Sequence, residues 1–182
     1  MAEETWYQRQ LNSKNYLSPI GFILVLEKAK KVSFLCQKAT IPTFSMGSID
    51  VRARGFVALP FEGNATFSDF TIEFIVDEDL ENYMEIHNWM RAISGAITSE
   101  DAYNWKKMYP LESRPSTSAA TLQVLNNNNL NNFDVRFFDM FPVELSALPF
   151  DVTGSDNEFF TASVTFRYSY YELRKVNSQD RL

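Results

Sequence analysis

Residues 67–93, FSDFTIEFIVDEDLENYMEIHNWMRAI, contain the pattern that decides the fold. In the first part of this stretch, apolar residues occupy alternate positions: Phe70, Ile72, Phe74 and Val76. The residues between them, Asp69, Thr71 and Glu73, are polar. A period of two is typical of a β-strand with one buried face. The pattern therefore predicts a strand whose apolar side faces a core.

After Val76 the apolar period changes to helical spacing, at positions Leu80, Tyr83, Met84, His87, Met90 and Ile93. The acidic residues at the change of period are Asp77, Glu78, Asp79 and Glu81. Acidic side chains favour the positive, N-terminal end of a helix dipole. Gly95 is a typical C-terminal stop for a helix. The sequence thus predicts a helix over residues 79–94 that follows directly on the strand.

Composition indicates one β-rich domain. The chain has 182 residues, enough for one domain with a substantial core. Aromatic residues make up 15% of the chain, including 16 Phe, which favours strands. The net charge of -6 argues against tight wrapping of nucleic acid, which requires many Lys and Arg residues. We find no apolar run long enough to span a bilayer and no signal peptide at the N-terminus, so we expect no membrane insertion.

The rest of the chain is predicted to be mostly strands. Residues 1–19 form an arm, residues 20–172 a single domain, and residues 173–182 a charged tail. Alternation predicts further strands at Phe22–Leu26, Val32–Cys36, Leu122–Val124, Phe133–Phe137 and Phe160–Tyr170, the first two of which form a β-hairpin. Other segments are predicted as turns, breaks or loops: a turn at Lys28–Lys31, another at Pro60, Gly63 and Asn64, a long surface loop over 96–118, a turn at Asn126–Asn132, and a strand break at Phe141-Pro142.

Residues 44–57 alternate weakly and contain little that would fill a core. We predict that they form an extended hairpin that projects from the domain. As a hypothesis, six residues of this segment contact a neighbouring subunit: Phe44, Ile49, Val51, Arg52, Arg54 and Phe56. Arg52 and Arg54 are suited to phosphate contact or to pairing with a neighbour's carboxylates, and the acidic chain favours carboxylates.

The residues that carry chemistry in other proteins do not form a catalytic pattern here. His87 lies on the predicted apolar stripe of the helix, and Cys36, the sole cysteine, is predicted to be an inert core thiol. The cluster from Asp77 to Glu81 lacks the glycine of a calcium loop and is interpreted as a helix cap. Asp151, Asp156 and Glu158 flank Gly154 and give a weak calcium pattern. We therefore predict a protein that is not an enzyme and has no catalytic, cofactor or metal site.

Three blocks of sequence resemble the tail tube proteins of contractile-tailed bacteriophages. The first is FLCQKATIP at residues 34–42. The second begins with TFSDFT at residues 66–71 and continues through the strand and acidic turn to the helix that carries Trp89. The third combines DVRFFDMFP at residues 134–142 with the closing strand, which ends in Tyr170-Tyr171-Glu172. Their order and spacing carry the resemblance.

The resemblance implies an α+β, mainly β fold: an antiparallel β-sandwich or open barrel with one flanking helix and a projecting hairpin. It also implies that six copies close into a ring, that rings stack into a tube with sheath and with baseplate or terminator proteins as partners, and that phage DNA passes through the channel without specific binding. The location implied is the virion tail, assembled in the host cytoplasm.

Two departures from the family pattern suggest a specialised member. Phe141 stands where the family has Trp before the proline, and the 96–118 segment is long. A tube initiator at the baseplate, a tube-end protein and the related tube of type VI secretion therefore stay open as alternatives. A carbohydrate-binding β-sandwich is the competing class. It requires an exposed aromatic platform, for which the candidates are Trp6, Trp105, Tyr103 and Tyr109.

Overall fold

The structure is a computed structural model that describes residues 15–52, 58–95, 99–110, 114–150 and 159–176. The described strands are, in chain order, β1 (Phe22–Leu26), β2 (Cys36–Ala39), β3 (Phe44–Arg52), β4 (Ala58–Phe67), β5 (Phe70–Ile75), β6 (Ser118–Leu125), β7 (Asn131–Leu145), β8 (Thr161–Arg167) and β9 (Tyr170–Lys175). The described helices are α1 (Lys30–Phe34), α2 (Glu81–Ser94) and α3 (Ser99–Met108).

The strand pairs in the described part of the chain are all antiparallel, and the fold is mainly β, as predicted. Seven strands form one sheet in the order β1-β6-β7-β8-β5-β2, with β9 also paired to β7. Among the described strands, β3 and β4 pair with each other alone and form the predicted hairpin. No helix within the described ranges is long and apolar enough to cross a membrane.

Strands β8 and β9 are two halves of one long strand that bends against β7. Phe141 pairs with Arg167 before the bend and Phe138 pairs with Tyr170 after it. Asp139 adopts a left-handed φ of 53° at the bend, and its carboxylate accepts a hydrogen bond from the Ser169 hydroxyl at 3.1 Å. The alternation predicted for the strand Phe160–Tyr170 is confirmed at Ala162, Val164 and Phe166, which are buried. The strand is divided at residues 168–169, and Tyr170, predicted on the same side, is exposed and stacks on Phe138. The predicted tail at 173–182 begins too early, because β9 runs to Lys175.

The predicted break at Phe141-Pro142 is wrong, because β7 continues through both residues to Leu145. Pro142 lies opposite Phe166, and the pairing shifts by one residue immediately after it. A proline has no N–H to donate to a ladder and is tolerated in sheets at such irregular positions.

The core lies on the inner face of the curved sheet. The predicted alternation of β5 is confirmed, since Phe70, Ile72 and Phe74 are fully buried. Phe70 stacks on Phe137 of β7 with ring centroids 4.3 Å apart. The other buried apolar strand residues in the described ranges are Leu24, Leu26, Ala120, Leu122, Val124, Val135, Met140, Ala162, Val164 and Phe166.

Helix α2 ends at Ser94 as predicted and begins at Glu81, two residues later than predicted, because Leu80 adopts a left-handed φ of 56° before it. The Asp77 carboxylate accepts hydrogen bonds from the backbone N–H groups of Glu81 at 3.0 Å and Asn82 at 2.9 Å. These bonds hold the pKa of Asp77 below its ordinary value, and the bond from Asn82 has the larger effect. Gly95 ends the helix with a left-handed φ of 58°, and its N–H donates to the carbonyl of Arg91 at 3.2 Å.

The face that α2 buries differs from the predicted stripe. The buried residues are Asn82, Ile86, Trp89 and Ala92, whereas Met84 and His87 are exposed. The Asn82 side-chain amide donates to the carbonyl of Ile75 at 2.7 Å, which ties the first turn of the helix to the end of β5. Asn82, a polar residue, thus helps to orient the helix. The sequence analysis considered apolar residues alone and therefore missed it.

The predicted hairpin between residues 22 and 36 is wrong, because α1 replaces its second strand. Val32 is buried in this short helix and Phe34 is 88% exposed, so the two do not share a face. The Ser33 hydroxyl oxygen accepts a hydrogen bond from the backbone N–H of Leu26 at 2.8 Å, which holds α1 beside β1. Strand β1 pairs with β6 instead, and β2 pairs with β5.

The predicted surface loop over 96–118 is also wrong, because it contains α3. Trp105 of α3 stacks on Trp89 of α2 with centroids 6.4 Å apart, and its indole N–H donates to the carbonyl of Pro115 at 2.6 Å. Lys28, predicted to lie in a turn, is buried. Its ammonium donates to the same carbonyl at 2.7 Å and lies 4.7 Å from the centre of the Tyr109 ring.

The predicted 44–57 hairpin extends further than expected. Its first strand is β3, residues 53–57 lie outside the described part, and its second strand is β4. The turn predicted at Pro60, Gly63 and Asn64 is wrong, because these residues lie within β4. Residues 1–14 of the predicted arm and 177–182 of the predicted tail lie outside the described residues.

We expect Phe74→Ala to lower the free energy of unfolding by about 3–5 kcal/mol, since it removes a fully buried ring from the core. For a chain of this size, the melting temperature should fall by on the order of 10 °C. Thr71→Ala, on the exposed side of the same strand, is the matched control and should change stability by less than about 1 kcal/mol. Equal melting temperatures for the two variants would contradict the assigned face of β5.

Candidate assembly surface

The β3–β4 hairpin is joined to the rest of the described chain at its base. The backbone N–H of Thr43 donates to the Ser68 hydroxyl at 2.8 Å, and the N–H of Ser68 donates back to the carbonyl of Thr43 at 3.0 Å. The Phe67 ring lies 5.5 Å from the Tyr171 ring and 6.1 Å from the Tyr168 ring. These contacts fix the direction in which the hairpin leaves the domain.

The two tyrosines also tie the hairpin base to the backbone. The Tyr168 hydroxyl donates to the carbonyl of Ser68 at 2.7 Å, and the Tyr171 hydroxyl donates to the carbonyl of Pro42 at 3.3 Å. Burial raises the pKa of Tyr168 to about 12, so its hydroxyl keeps its proton and its donor role over the physiological range.

Large apolar side chains of the hairpin are exposed. Phe44 is 56% exposed and Ile49 is 59% exposed. Their role in contact with a neighbouring subunit stays a prediction. Val51 and Arg52 lie in β3, but their side chains fall outside the described part, as do Arg54 and Phe56 altogether. The structure adds three exposed residues that the sequence reasoning missed: Met46, Phe61 and Phe67. Met46 lies in β3, within the segment predicted as a hairpin. The signal for Phe61 and Phe67 was the alternation of β4, which was missed because Pro60, Gly63 and Asn64 were interpreted as a turn.

A β-bulge divides the hairpin into two halves. Met46 pairs with Ala65 on one side of it and Ser48 pairs with Glu62 on the other, so Gly47 faces two residues, Gly63 and Asn64. A Cβ at Gly63 would lie 2.8 Å from the carbonyl carbon and oxygen of Gly47. Only glycine fits this close backbone approach without a local shift.

The outer face of the β2-β5-β8 part of the sheet is polar and carries balanced charge. Thr71 and Thr165 lie opposite each other with their hydroxyl oxygens 3.3 Å apart. Exposed ion pairs join Lys38 to Glu73 at 2.7 Å and Arg167 to Asp69 at 3.3 Å. Such pairs contribute little to stability, but they place a carboxylate beside each of these two cations.

The outer face of the β1-β6-β7-β9 part differs in chemistry. Ile23 and Val25 of β1 are exposed on it, and Phe138 stacks on Tyr170 with centroids 4.6 Å apart. Because exposed apolar side chains favour contact with another protein surface, this face is better suited to burial than the hydroxyl-rich face.

The remaining candidate residues do not converge on a reaction centre among the described residues. Burial raises the pKa of the Cys36 thiol to about 11, so the reactive thiolate is scarce at neutral pH. His87 is an exposed residue of α2. No group of three or more His, Cys, Asp and Glu side chains able to hold a metal occurs in the described ranges, and Asp151, Asp156 and Glu158 lie outside them.

The aromatic platform that a carbohydrate-binding module requires is not formed by the described candidates. Trp105 is half-buried between Trp89 and Tyr109, and its indole N–H is already bonded to Pro115. Tyr103 is exposed on α3, and Trp6 lies outside the described part. The geometry therefore favours contacts between proteins.

Comparison with known proteins agrees with this interpretation. The family described as "Phage tail tube protein" matches residues 7–174. The tail tube terminator protein of Enterobacteria phage T4 is 22% identical over 110 residues, which cover 60% of this chain and 57% of that protein. The matched region thus spans little more than half the length of that curated relative.

Solved structures of contractile injection systems share the fold. A chain of the tube-terminating cap of the anti-feeding prophage superposes with a TM-score of 0.62 at 12% identity, covering 95% of this chain and 100% of that chain. A chain of the PVC sheath-tube complex in its extended state gives a TM-score of 0.60 at 13% identity, covering 90% and 94%. At these identities the likeness concerns the fold alone.

Proposed function

Since this chain belongs to the phage tail tube protein family, we propose that it is a structural subunit of a contractile phage tail tube. Six copies form a ring, rings stack head to tail, and the channel delivers DNA from a virion tail assembled in the host cytoplasm. The observation that carries the proposal is the hairpin, which projects from a closed core with Ile49, Phe61 and other large apolar side chains exposed. It is the axial connector between rings.

Ring closure is supported by the two ends of the sheet. Strands β1 and β2 lie at opposite ends of the strand order, and each has one hydrogen-bonded neighbour among the described strands. Joining unlike edges of successive copies is a heterologous contact, and such contacts generate rings when the rotation closes. Closure also removes exposed edges that invite uncontrolled pairing.

The hydroxyl-rich face of β5 and β8 is the best candidate for the channel wall. Its Lys38 and Arg167 are each paired with a carboxylate of the same subunit, which leaves these two cations less available to phosphate. DNA binds tightly where Lys and Arg neutralise phosphates and release counterions. A wall of hydroxyls and paired charges therefore lets DNA pass without stable contacts.

A tube-end position, in contact with sheath or terminator proteins, is the second candidate. It is supported by the T4 tail tube terminator relative and by the fold shared with the anti-feeding prophage cap. The two positions differ in what the pure protein forms. A repeating subunit gives long tubes by itself, whereas a terminator gives single rings and shortens tubes when it is mixed with a tube-forming protein.

We expect the purified protein to form six-fold rings or stacks of rings with a central channel. Negative-stain electron microscopy and sedimentation over a range of concentration and salt measure this directly. A species that stays monomeric at high concentration in several salts would contradict the assembly proposal.

Removing the distal half of the hairpin should abolish stacking and leave the domain folded. The excised segment is residues 49–61, and an Asn-Gly turn joins Ser48 to Glu62, which already face each other. In the control variant, a Gly-Ser linker of equal length replaces residues 49–61. It removes the side chains of this segment but keeps its length. Both variants should keep the wild-type melting temperature and fail to stack. Long tubes from either variant would show that the hairpin is not the axial connector.

Breaking the ion pairs of the proposed wall should create DNA affinity that the wild type lacks. We expect no appreciable duplex binding by the wild type at about 0.15 M salt. Asp69→Asn with Glu73→Gln leaves Arg167 and Lys38 without their carboxylates and should give salt-sensitive binding in a gel-shift assay. Arg52→Glu should impair stacking and leave DNA affinity unchanged. Tight, salt-sensitive binding by the wild type that Arg52→Glu removes would instead make the hairpin a nucleic-acid contact.

A further inference from the structure

A pocket of about 310 Å³ opens between α2 and α3. Helix α2 contributes Asn88 and Arg91 to its wall, and α3 contributes Asn104 and Trp105. Pockets for drug-sized ligands span about 300–1,000 Å³. This pocket lies at the lower end of that range, so it suits a small group such as a single side chain.

A buried cation forms part of the wall. Lys28 is 4% exposed, and its ammonium donates hydrogen bonds to the carbonyls of Pro115, at 2.7 Å, and of Thr117. The same ammonium lies 4.7 Å from the centre of the Tyr109 ring, and both Lys28 and Tyr109 line the pocket. The carbonyls and the ring are neutral groups, so these contacts fix the position of the ammonium without neutralising its charge.

Cations outnumber carboxylates in the described wall. Lys28 and Arg91 are the cations, and Glu85 is the carboxylate. The Glu85 carboxylate accepts a hydrogen bond from the backbone N–H of Lys31 at 3.0 Å, which directs it toward the start of α1. The two asparagine amides of the wall add neutral N–H donors. The wall therefore favours a group with a single negative charge, although the whole chain has a net charge of -6.

Exposed methionines lie on both helices at the pocket. Met108 of α3 lines it and is 72% exposed. Met84 is exposed on α2, one helical turn before the pocket residue Asn88. Because methionine side chains adapt their shape to apolar partners, these surroundings suit apolar residues on either side of an acidic one.

We propose that this pocket receives one carboxylate of an acidic segment of a partner protein. A carboxylate carries the single charge that the wall matches, whereas a phosphate group carries about −1.5 to −2 at pH 7. Aromatic and arginine side chains at a pocket are typical anchors of binding energy. The site is separate from the proposed assembly surfaces, because the residues that line it belong neither to the hairpin nor to a strand.

A short peptide with one glutamate measures the proposed binding. The probe is Gly-Ser-Leu-Glu-Leu-Ser-Gly, with an uncharged fluorophore at its N-terminus and an amidated C-terminus, and its anisotropy is followed as wild-type protein is added. We expect saturable binding that weakens as salt is raised, and several-fold weaker binding of the peptide with Gln in place of Glu. Because the chain as a whole is acidic, attraction of this peptide requires a local cationic site.

Three substitutions that each lower the net charge by one locate the binding site. Arg91→Gln removes a cation from the wall, and Asn104→Asp adds a carboxylate to it. Lys107→Gln changes an exposed residue of α3 outside the wall and is the matched control. We expect the first two variants to bind the glutamate peptide several-fold more weakly and Lys107→Gln to bind it as the wild type does. Melting temperatures are compared, and Asn104→Asp, at an exposed position, decides the test if Arg91→Gln is destabilised.

Other results would overturn the proposal. Absence of saturable binding up to millimolar protein, or an equal loss in all three variants, would show that the pocket does not hold a carboxylate. Tighter binding of a peptide with phosphoserine in place of Glu, or of a Glu-free peptide with a free C-terminus, would assign the pocket to a phosphate or to a chain end instead. Ring formation is scored separately by negative-stain electron microscopy of the same samples, so failure of this inference leaves the assembly proposal standing, and the reverse also holds.

Discussion

The fold depends on the continuous ladder between β7 and the bent strand formed by β8 and β9. Over its first half, β7 pairs with β6 and β9, and over its second half it pairs with β8, which in turn pairs with β5. The bend at Asp139 and Ser169 turns one sheet around a single core, in which Phe70 stacks on Phe137. The same bend places Tyr168 and Tyr171 against the base of the hairpin. The direction of the hairpin therefore depends on the same bend as the core does.

The sequence predicts the central part of the domain well because its signals there are local. The alternation of β5, the acidic cap at Asp77 and the stop at Gly95 each depend on residues a few positions apart. The failures have distant causes. Lys28 is buried because carbonyl groups almost ninety positions away accept hydrogen bonds from its ammonium, and α3 forms where Trp105 packs on Trp89. Neither the hydrogen bonds of Lys28 nor the packing of Trp105 on Trp89 can be predicted from the residues next to them in sequence.

The hairpin that forms the candidate assembly surface was predicted in part, because its signals are also partly local. Weak alternation and few core residues correctly indicated a projecting hairpin, and Phe44 and Ile49 are exposed on it. Its second strand was missed because Pro60, Gly63 and Asn64 have turn character in isolation, whereas in the structure they lie in β4. The assignment of faces requires the register of both strands, and the bulge that sets this register results from a contact between Gly47 and Gly63.

The protonated state of Cys36 has a practical consequence for chemical labelling. With a pKa of about 11, the native thiol is a poor nucleophile at pH 7, while a cysteine introduced at an exposed position retains ordinary reactivity. We therefore expect maleimide probes to react with Cys36 much more slowly than with an introduced, exposed cysteine. Fluorophores or spin labels can be attached at a chosen strand without first removing the native cysteine, so distances and solvent access within an assembly can be read from an otherwise unaltered protein.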